Sequence, residues 1–387
     1  MKKPWLLIIA GIVLIIIIGL WLYLFFGGDD AREDLYNAFG LNGTDLPFDL
    51  ETLLDDNGAT STPAYLRQLS LRQVAGYVPL EASSSTPRAV RFVEKGTGHI
   101  YTVPVDGDTE ERLSNITIPS TRQATFSSDG NYAAIYTDNA STFTVVTLPH
   151  GSTTLTSNTI AGVPISFAFT ADNTLLFAIK SGQTVAGYSY NTKTSAKKLL
   201  FTIPFREAVV LWGDNETGPH YTYPKTAEEL EGYLYKIEAN TLKRLPVSGF
   251  GLSVKNQGDR LFYTRAENGY RKSYLLEDVV ETPLSASFIP EKCSLHGQIL
   301  LCAIHGGTES FSLTSWYRGE VESNDTLWYF IPEINYATQV ENISATAQRV
   351  LDVTSPVVTD QAFYFINNID SGLWVYDRDF ASSVIDN

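Results

Sequence analysis

Hydrophobic positions follow two different rules along this chain. Residues Trp5–Phe26 (WLLIIAGIVLIIIIGLWLYLFF) form one unbroken apolar run, and nothing like it recurs. From residue 65 onward, short stretches rich in Val, Ile, Thr, Tyr and Phe alternate with Gly, Asp and Asn turns at intervals of roughly 8–12 residues, a spacing that predicts strands. Long helical periodicity is absent from that part, so the expected class is all-β.

At 1.5 Å per residue, a helix over the first run crosses the hydrocarbon core of a bilayer, which takes roughly 20 residues. Lys2 and Lys3 precede it and Asp29, Asp30, Glu33 and Asp34 follow it. The positive-inside tendency then leaves residues 1–4 in the cytoplasm, makes 5–26 a single-pass signal anchor in the cell membrane, and puts the remainder outside. Trp5, Trp21 and Tyr23 sit where amphipathic rings meet headgroups. The competing reading is a cleaved secretory signal, but its apolar region runs to about 7–15 residues before a small-residue site, and FFGGDDA matches such a site poorly. Residues 27–64 read as a stalk, with a short helix over Asp30–Phe39 closed by Gly40.

Internal repeats turn the β texture into an architecture. One unit is an apolar strand, a turn and a second apolar strand: ATFSSDGNYAAIYT (124–137), FAFTADNTLLFAIK (167–180) and LSVKNQGDRLFYTR (252–265). The other is an aromatic third strand leading to a polar fourth: GHIYTVPVDGDTEERLSN (98–115), GYLYKIEANTLKRLPV (232–247), TLWYFIPEINYATQV (326–340) and GLWVYDRDF (372–380). Joined, they make a four-stranded antiparallel blade of about 40–45 residues, the period of a β-propeller. Seven such blades begin near Gln73, Ser120, Val163, Phe205, Ser248, Phe288 and Arg349, so residues 65–387 are expected to form a seven-bladed β-propeller domain. The last blade reaches only three strands before the chain runs out, and LRQLS (66–70) resembles the fourth strands ERLS and KRLP. Ring closure by LRQLS is therefore expected, which also removes exposed sheet edges. Two stacked β-sandwiches are the alternative, but they supply no reason for a fixed period.

The turns FSSDGNYAAIY and FTADNTLLFAI resemble the repeat of WD40-like, TolB-type propellers, although Ser128 and Ala171 stand where that family commonly has Pro. RAVRFVEKGTGHIYTV further resembles uncharacterised membrane-anchored propeller proteins of candidate-phylum bacteria. The resemblance implies a protein-interaction platform; residues that only build turns do not carry a partner with them.

Charge narrows the partners. The chain has 28 basic against 43 acidic side chains, a net charge of −15, and two of the basic ones are Lys2 and Lys3. Such a surface repels phosphate backbones, so no nucleic-acid partner is expected; solubility alone also accounts for acidity. The two cysteines, Cys293 and Cys302, lie in EKCSLHGQILLCAI. A hairpin with a two-residue loop at Gly297–Gln298 pairs His296 with Ile299, Leu295 with Leu300 and Cys293 with Cys302, and Gly at the first loop position suits a type II′ turn. Outside the membrane a structural disulfide is expected there, two buried thiols being the alternative.

No HExxH, GxSxG or phosphate-loop motif occurs, and histidines number five: His99, His150, His220, His296 and His305. No catalytic residue, cofactor or metal is therefore assigned, and a non-catalytic scaffold for a protein or envelope partner is expected. A glycan-binding or glycan-cleaving surface propeller is the alternative. Asp106, Asp108 and Glu110 in DGDTEE hint at a calcium loop, but a polar turn explains them. Asp214, Glu216 and His220 fall in a long excursion, WGDNETGPHYTYPKTAEELEG, whose acidic end reads as a solvated helical turn. Sequons occur at Asn42, Asn115, Asn139, Asn215, Asn324 and Asn342. The insertion GGTESFSLTSWYRGEVESNDT (306–326) offers Trp316, Tyr317 and Arg318 as candidate partner contacts, residue types enriched in interface hot spots. The alternative is that the loop folds back and buries Trp316.

Overall fold

The computed structural model describes residues 65–378 apart from the short segments 83–86, 108, 115, 139–140, 149–154, 226, 240, 258–259, 269, 279 and 307–310. These residues belong to the compact unit 62–387. The expected anchor (5–26), the stalk (27–64) and residues 1–4 lie outside the described residues. Among the described residues no helix is long and apolar enough to cross a membrane.

Strand β1 (Leu66–Ser70) comes first. The next sheet is β2 (Val74–Leu80), β3 (Ala89–Glu94), β4 (Ile100–Pro104) and β5 (Glu111–Arg112), followed by β6 (Thr121–Phe126), β7 (Tyr132–Thr137), β8 (Thr142–Thr147) and β9 (Thr156–Ala161). A third sheet holds β10 (Pro164–Phe169), β11 (Thr174–Ser181), β12 (Thr184–Asn191) and β13 (Lys197–Ile203). A seven-stranded sheet then runs β14 (Ala208–Leu211), β15 (His220–Pro224), β16 (Glu231–Glu238), β17 (Thr241–Gln257), β18 (Arg260–Glu267), β19 (Tyr270–Glu277) and β20 (Val280–Pro283). The fifth has β21 (Cys293–His296), β22 (Ile299–His305), β23 (Asp325–Ile331) and β24 (Tyr336–Glu341); the sixth is β25 (Val353–Val358), β26 (Ala362–Asn367) and β27 (Leu373–Asp377). All pairings between these strands are antiparallel.

Local chemistry explains the repeated turn. After β6, Ser127 Oγ donates to Asp129 Oδ1 (2.6 Å), Asp129 accepts from Asn131 N (2.9 Å), and Gly130 takes φ +69°. After β10, Thr170 donates to Asp172, Thr174 N donates to Thr170 Oγ1 (3.0 Å), and Asn173 takes φ +65°. Gly and Asn are the residues that enter this left-handed region at least cost, which is why the two degenerate copies still turn alike.

The first strands touch one another in sequence: β2 with β6, β6 with β10, β10 with β14, and β21 with β25. Asn256 of β17 donates to the carbonyl of Trp212, just past β14 (2.8 Å), and Tyr77 of β2 donates to Ser355 O in β25 (2.7 Å). The turn Pro290–Lys292 packs on both β17 and β25. These contacts run round a full circle, so the sheets radiate from a common centre with their first strands innermost. Between sheets lie buried aromatic layers, such as Phe143 of β8 against Phe177 of β11 (centroids 5.0 Å), and Phe365 and Trp374 of the last sheet packed with Leu301 and Leu327 of its neighbour. Each fully buried large side chain stabilises by about 1.5–3 kcal/mol.

Closure is as expected: β1 completes the last sheet, with Leu66 opposite Tyr376, Gln68 opposite Trp374 and Ser70 opposite Leu373. Arg88 grips Asp377 across the same seam (2.9 and 2.8 Å). One expectation needs correction. Not all sheets are four-stranded, because β17 continues from an outer strand into an inner one. Phe250 pairs with Glu231 of β16 on one side and with Ala266 of β18 on the other, while Gly251, at φ +60°, lets the chain turn between them.

The two ends of the ring differ. One carries the turns from first to second and from third to fourth strands, such as β10–β11 and β12–β13. The other carries the connections from second to third strands and the links between sheets. Leu66 lies opposite Tyr376, near the finish of β27, so β1 enters from the hairpin-turn end.

Candidate interaction cleft

On the loop end, segments from four places meet. Glu228 comes from the β15–β16 connection, Phe250 and Gly251 from the middle of β17, Ala266, Tyr270 and Arg271 from the β18–β19 hairpin, and Phe311, Ser312 and Leu313 from the β22–β23 insertion. They line a cleft of about 450 Å³, within the size range of ligand sites. The cross-strand register puts Phe250, Ala266 and Arg271 side by side, so their side chains share one face. Phe250 is 50% and Tyr270 75% exposed. Phe311 stacks on His305 at 4.9 Å between centroids.

The wall is held by a clasp. Helix α1 (Leu313–Tyr317) is capped by Ser312, whose side chain accepts from Ser315 N. Glu228 accepts from Ser312 Oγ (2.7 Å) and from Leu313 N (2.7 Å), an orphan donor of the first turn, and Glu228 N donates to Thr314 Oγ1 (3.0 Å). Arg271 Nη2 stands 3.4 Å from Glu228 Oε1. Burial lowers the Arg271 pKa, and the charges of Glu228, Tyr317 and Glu291 only partly offset it.

Behind the wall a polar network fixes α1 to the inner strands. Glu291 accepts from Ser253 Oγ (2.7 and 2.8 Å) and from Tyr317 Oη (2.5 Å). Burial, then Glu291, raises the Tyr317 pKa. Lys255 donates to Cys293 O, and burial pulls its pKa down to about 8, with Glu291 pulling the other way. Beside it, Lys292 is fully buried and bridges Asp325 Oδ2 and Asp352 Oδ1, each at 2.6 Å. Trp316 Nε1 donates to both oxygens of Asp352 (3.0 and 2.9 Å), and its ring covers the Lys292 ammonium at 4.9 Å.

The three candidate contacts therefore separate. Trp316 is only 7% exposed and anchors the loop, so the fold-back reading holds for it and its expected role as a surface contact is corrected. The reason is its indole N–H, which finds a buried carboxylate. Tyr317 keeps 44% exposure while its hydroxyl is tied to Glu291. Arg318 is exposed, 3.9 Å from Glu320. Sequence reasoning missed Glu228, Phe250, Tyr270, Arg271 and Phe311. Glu228 sat in the acidic AEELEG stretch read as solvated, and no local signal links it to a loop more than eighty residues away.

The other candidates do not converge. His220 is buried, accepting from Gly213 N at Nδ1 (3.1 Å) with Nε2 toward Glu216 O (3.2 Å), and packs edge-on to Trp212; burial lowers its pKa. Glu216 reaches Lys198 instead. Asp106 pairs with Arg88, Glu110 takes Ser70 Oγ and Arg72 Nε (2.6 Å each), and Asp108 lies outside the described residues. No group of acidic, His or Cys residues fit to hold a metal occurs among the described residues. Asn215, Asn324 and Asn342 are exposed; Asn42, Asn115 and Asn139 lie outside the described residues. The disulfide joins Cys293 and Cys302 in the expected register, with Gly297 at φ +58°.

No protein-family model matches the chain, and no curated protein matches it. Solved structures match it as folds. The β-propeller domain of the Trilobed protease from Pyrococcus furiosus superposes with a TM-score of 0.53 at 10% identity, covering 80% of this chain and 96% of that one. An oligogalacturonate lyase in complex with manganese gives 0.53 at 11% identity, over 76% of this chain and 86% of that one. YCF48 bound to D1 peptide gives 0.52 at 11% identity, over 81% and 94%. Identities this low speak to architecture alone, and the architecture they agree on with the circle of sheets described above is a β-propeller.

Proposed function

We propose that the chain is a membrane-tethered, extracytoplasmic propeller of seven blades, the seven-stranded sheet counting as two that share β17, and that its loop end binds a protein or envelope partner without chemistry. The observation that carries binding is the exposure of Phe250 and Tyr270 at the mouth of a cleft whose walls are rigidly held. Large exposed rings beside a formed cavity are a recognised mark of an interaction site. The tether reading rests on the Trp5–Phe26 run and the lysines before it; the disulfide agrees with an oxidising exterior. The chain joins the ring at the hairpin-turn end, opposite the cleft, through β1.

Glycan binding is the second reading, favoured by the same exposed aromatic faces. Its cleaving version calls for two carboxylates about 5–9.5 Å apart in one pocket. Glu228 is the sole carboxylate among the described residues lining the cleft, and it is engaged in holding α1.

A photoreactive amino acid installed at Tyr270, and separately at Val280 on the hairpin-turn end of the same sheet, tests the binding reading in intact cells. Val280 is 64% exposed, so both positions report on open surface. A partner adduct at Tyr270 and none at Val280 is expected; equal labelling at both, or none at Tyr270, overturns it. External protease digestion of the ectodomain in intact cells is expected too, and full protection would remove the exterior placement.

A further inference from the structure

The cleft contains one cation that nothing within it fully answers. Arg271 is the only basic side chain among the described lining residues, and 23% of its side chain remains exposed. Among the described residues its hydrogen-bonding carboxylate partner is Glu228, 3.4 Å away, which already accepts two shorter bonds, from Ser312 Oγ and Leu313 N. Glu291, on the far side, is taken by Ser253 and Tyr317. A guanidinium carries five donors in a flat fork that suits a carboxylate bidentately, so most of this fork is left to a ligand.

The surroundings select which carboxylate. Phe250, Tyr270 and Phe311 offer aromatic surface around the fork; of the other polar side chains in the lining, Glu228 and Ser312 are bonded to each other, and the exposed Tyr270 brings one hydroxyl. A sugar acid would bring several hydroxyls where the lining offers one hydroxyl, that of Tyr270, beyond the bonded Glu228 and Ser312, and each unpaired one costs binding. An Asp or Glu side chain inside a partner brings a carboxylate without an adjacent apolar group. A chain terminus ending in an apolar residue brings both on one carbon. The chain's net charge of −15 disfavours further acidic groups and favours basic residues upstream.

We infer that the cleft captures the C-terminal carboxylate of a partner polypeptide, with Arg271 holding the carboxylate and Phe250, Tyr270 and Phe311 holding its apolar last side chain. This rests on the partner-binding reading above and specifies its ligand. The probe is a set of twenty fluorescent hexapeptides, KGSKGX, as free acids and as C-terminal amides, titrated against the full-length protein in detergent by anisotropy. Free acids ending in Leu, Ile, Met or Phe bind, and amidation weakens them at least about tenfold, the size of a lost charge-assisted bond. Arg271→Gln weakens them equally, and Arg271→Lys only in part, with thermal unfolding confirming that both variants fold. Phe250→Ala and Tyr270→Ala, at exposed positions, weaken apolar-ended peptides several-fold and erase the preference for them. Equal binding of acids and amides, an unaffected Arg271→Gln, or no binding by any free acid overturns the inference. If it fails while the Tyr270 crosslink persists, partner binding stands with another ligand; if both fail, the partner-binding reading goes as well.

Discussion

Two long connections invite comparison: residues 212–219 between β14 and β15, and residues 306–324 between β22 and β23. Past Trp212, which is tied to Ser166 and Asn256, the first largely satisfies itself. Gly213 N donates to His220 Nδ1, Asn215 Oδ1 accepts from Thr217 N (2.9 Å) and Thr217 Oγ1 (2.6 Å), and Gly218 N donates to Asn215 O (3.2 Å). The second directs its polar groups outward, Ser312 and Leu313 to Glu228, Trp316 to Asp352 and Tyr317 to Glu291. The first is eight residues long and the second nineteen, and both are rich in polar residues. A self-contained connection stays a surface feature, whereas one anchored on several sheets becomes the wall of a cleft. What makes a loop functional here is where its hydrogen bonds end.

The sharpest way to break this contrast is to cut the deepest anchor. Lys292→Met keeps the volume but leaves Asp325 and Asp352 buried without their cation. Removing one member of a buried ion pair costs about 3–5 kcal/mol. Urea unfolding should show a correspondingly lower midpoint, and Trp316, released from part of its environment, should report through its fluorescence. A loss under 1 kcal/mol would mean that the insertion is not held from this side.

Glu228→Gln probes the outer clasp. The amide keeps one acceptor where two donors now converge, so a charge-assisted bond goes, at about 1.5–3 kcal/mol. The effect should be local: hydrogen exchange at the Leu313 amide accelerates while β-strand amides in the distant β6–β9 sheet do not. Unchanged protection at Leu313 would show that α1 stands without Glu228.

These partners also mark what the sequence could and could not reveal. The turns of 124–137 and 167–180, the Cys293–Cys302 register and the return of LRQLS to the last sheet were all readable, because each depends on local turn chemistry or on a repeated period. Trp316 was visible as a residue type, but its burial depends on Asp352, which belongs to the next sheet. Glu228 looked like any solvated acid. The continuity of β17 escaped because the repeat period begins a new blade near Ser248, while in the fold Phe250 just beyond it pairs on both sides. Contacts set by the ring's geometry leave no mark on a one-dimensional pattern.

His220 sharpens the self-contained side of the comparison through pH. Its folded pKa is lowered by burial, so the neutral ring is the form that fits. Below the unfolded value near 6.5 the unfolded chain takes up the proton first, and stability falls as pH falls. His220→Gln supplies an acceptor for Gly213 N and a donor for Glu216 O without titrating. The variant should lose about 1 kcal/mol or less at pH 7.5 and show a shallower decline below pH 6.5 than the parent. An identical acid limb in both would move that decline to other groups.

The smallest expected effect is the most discriminating for the cleft. Tyr270 begins β19 opposite Glu267 and is 75% exposed, so its ring contributes little to the core. Tyr270→Ala should therefore change unfolding free energy by less than about 0.5 kcal/mol and leave the urea m-value untouched. Trp316, buried within its insertion, should behave in the opposite way: Trp316→Ala opens a cavity and takes the indole donor from Asp352, costing about 3–5 kcal/mol. If Tyr270→Ala proves as damaging as Trp316→Ala, the exposed ring is a structural prop, and the cleft's mouth is part of the fold's packing. If it is silent in stability, the ring is kept in water without benefit to folding, and the reading of the cleft's mouth as a binding surface stands.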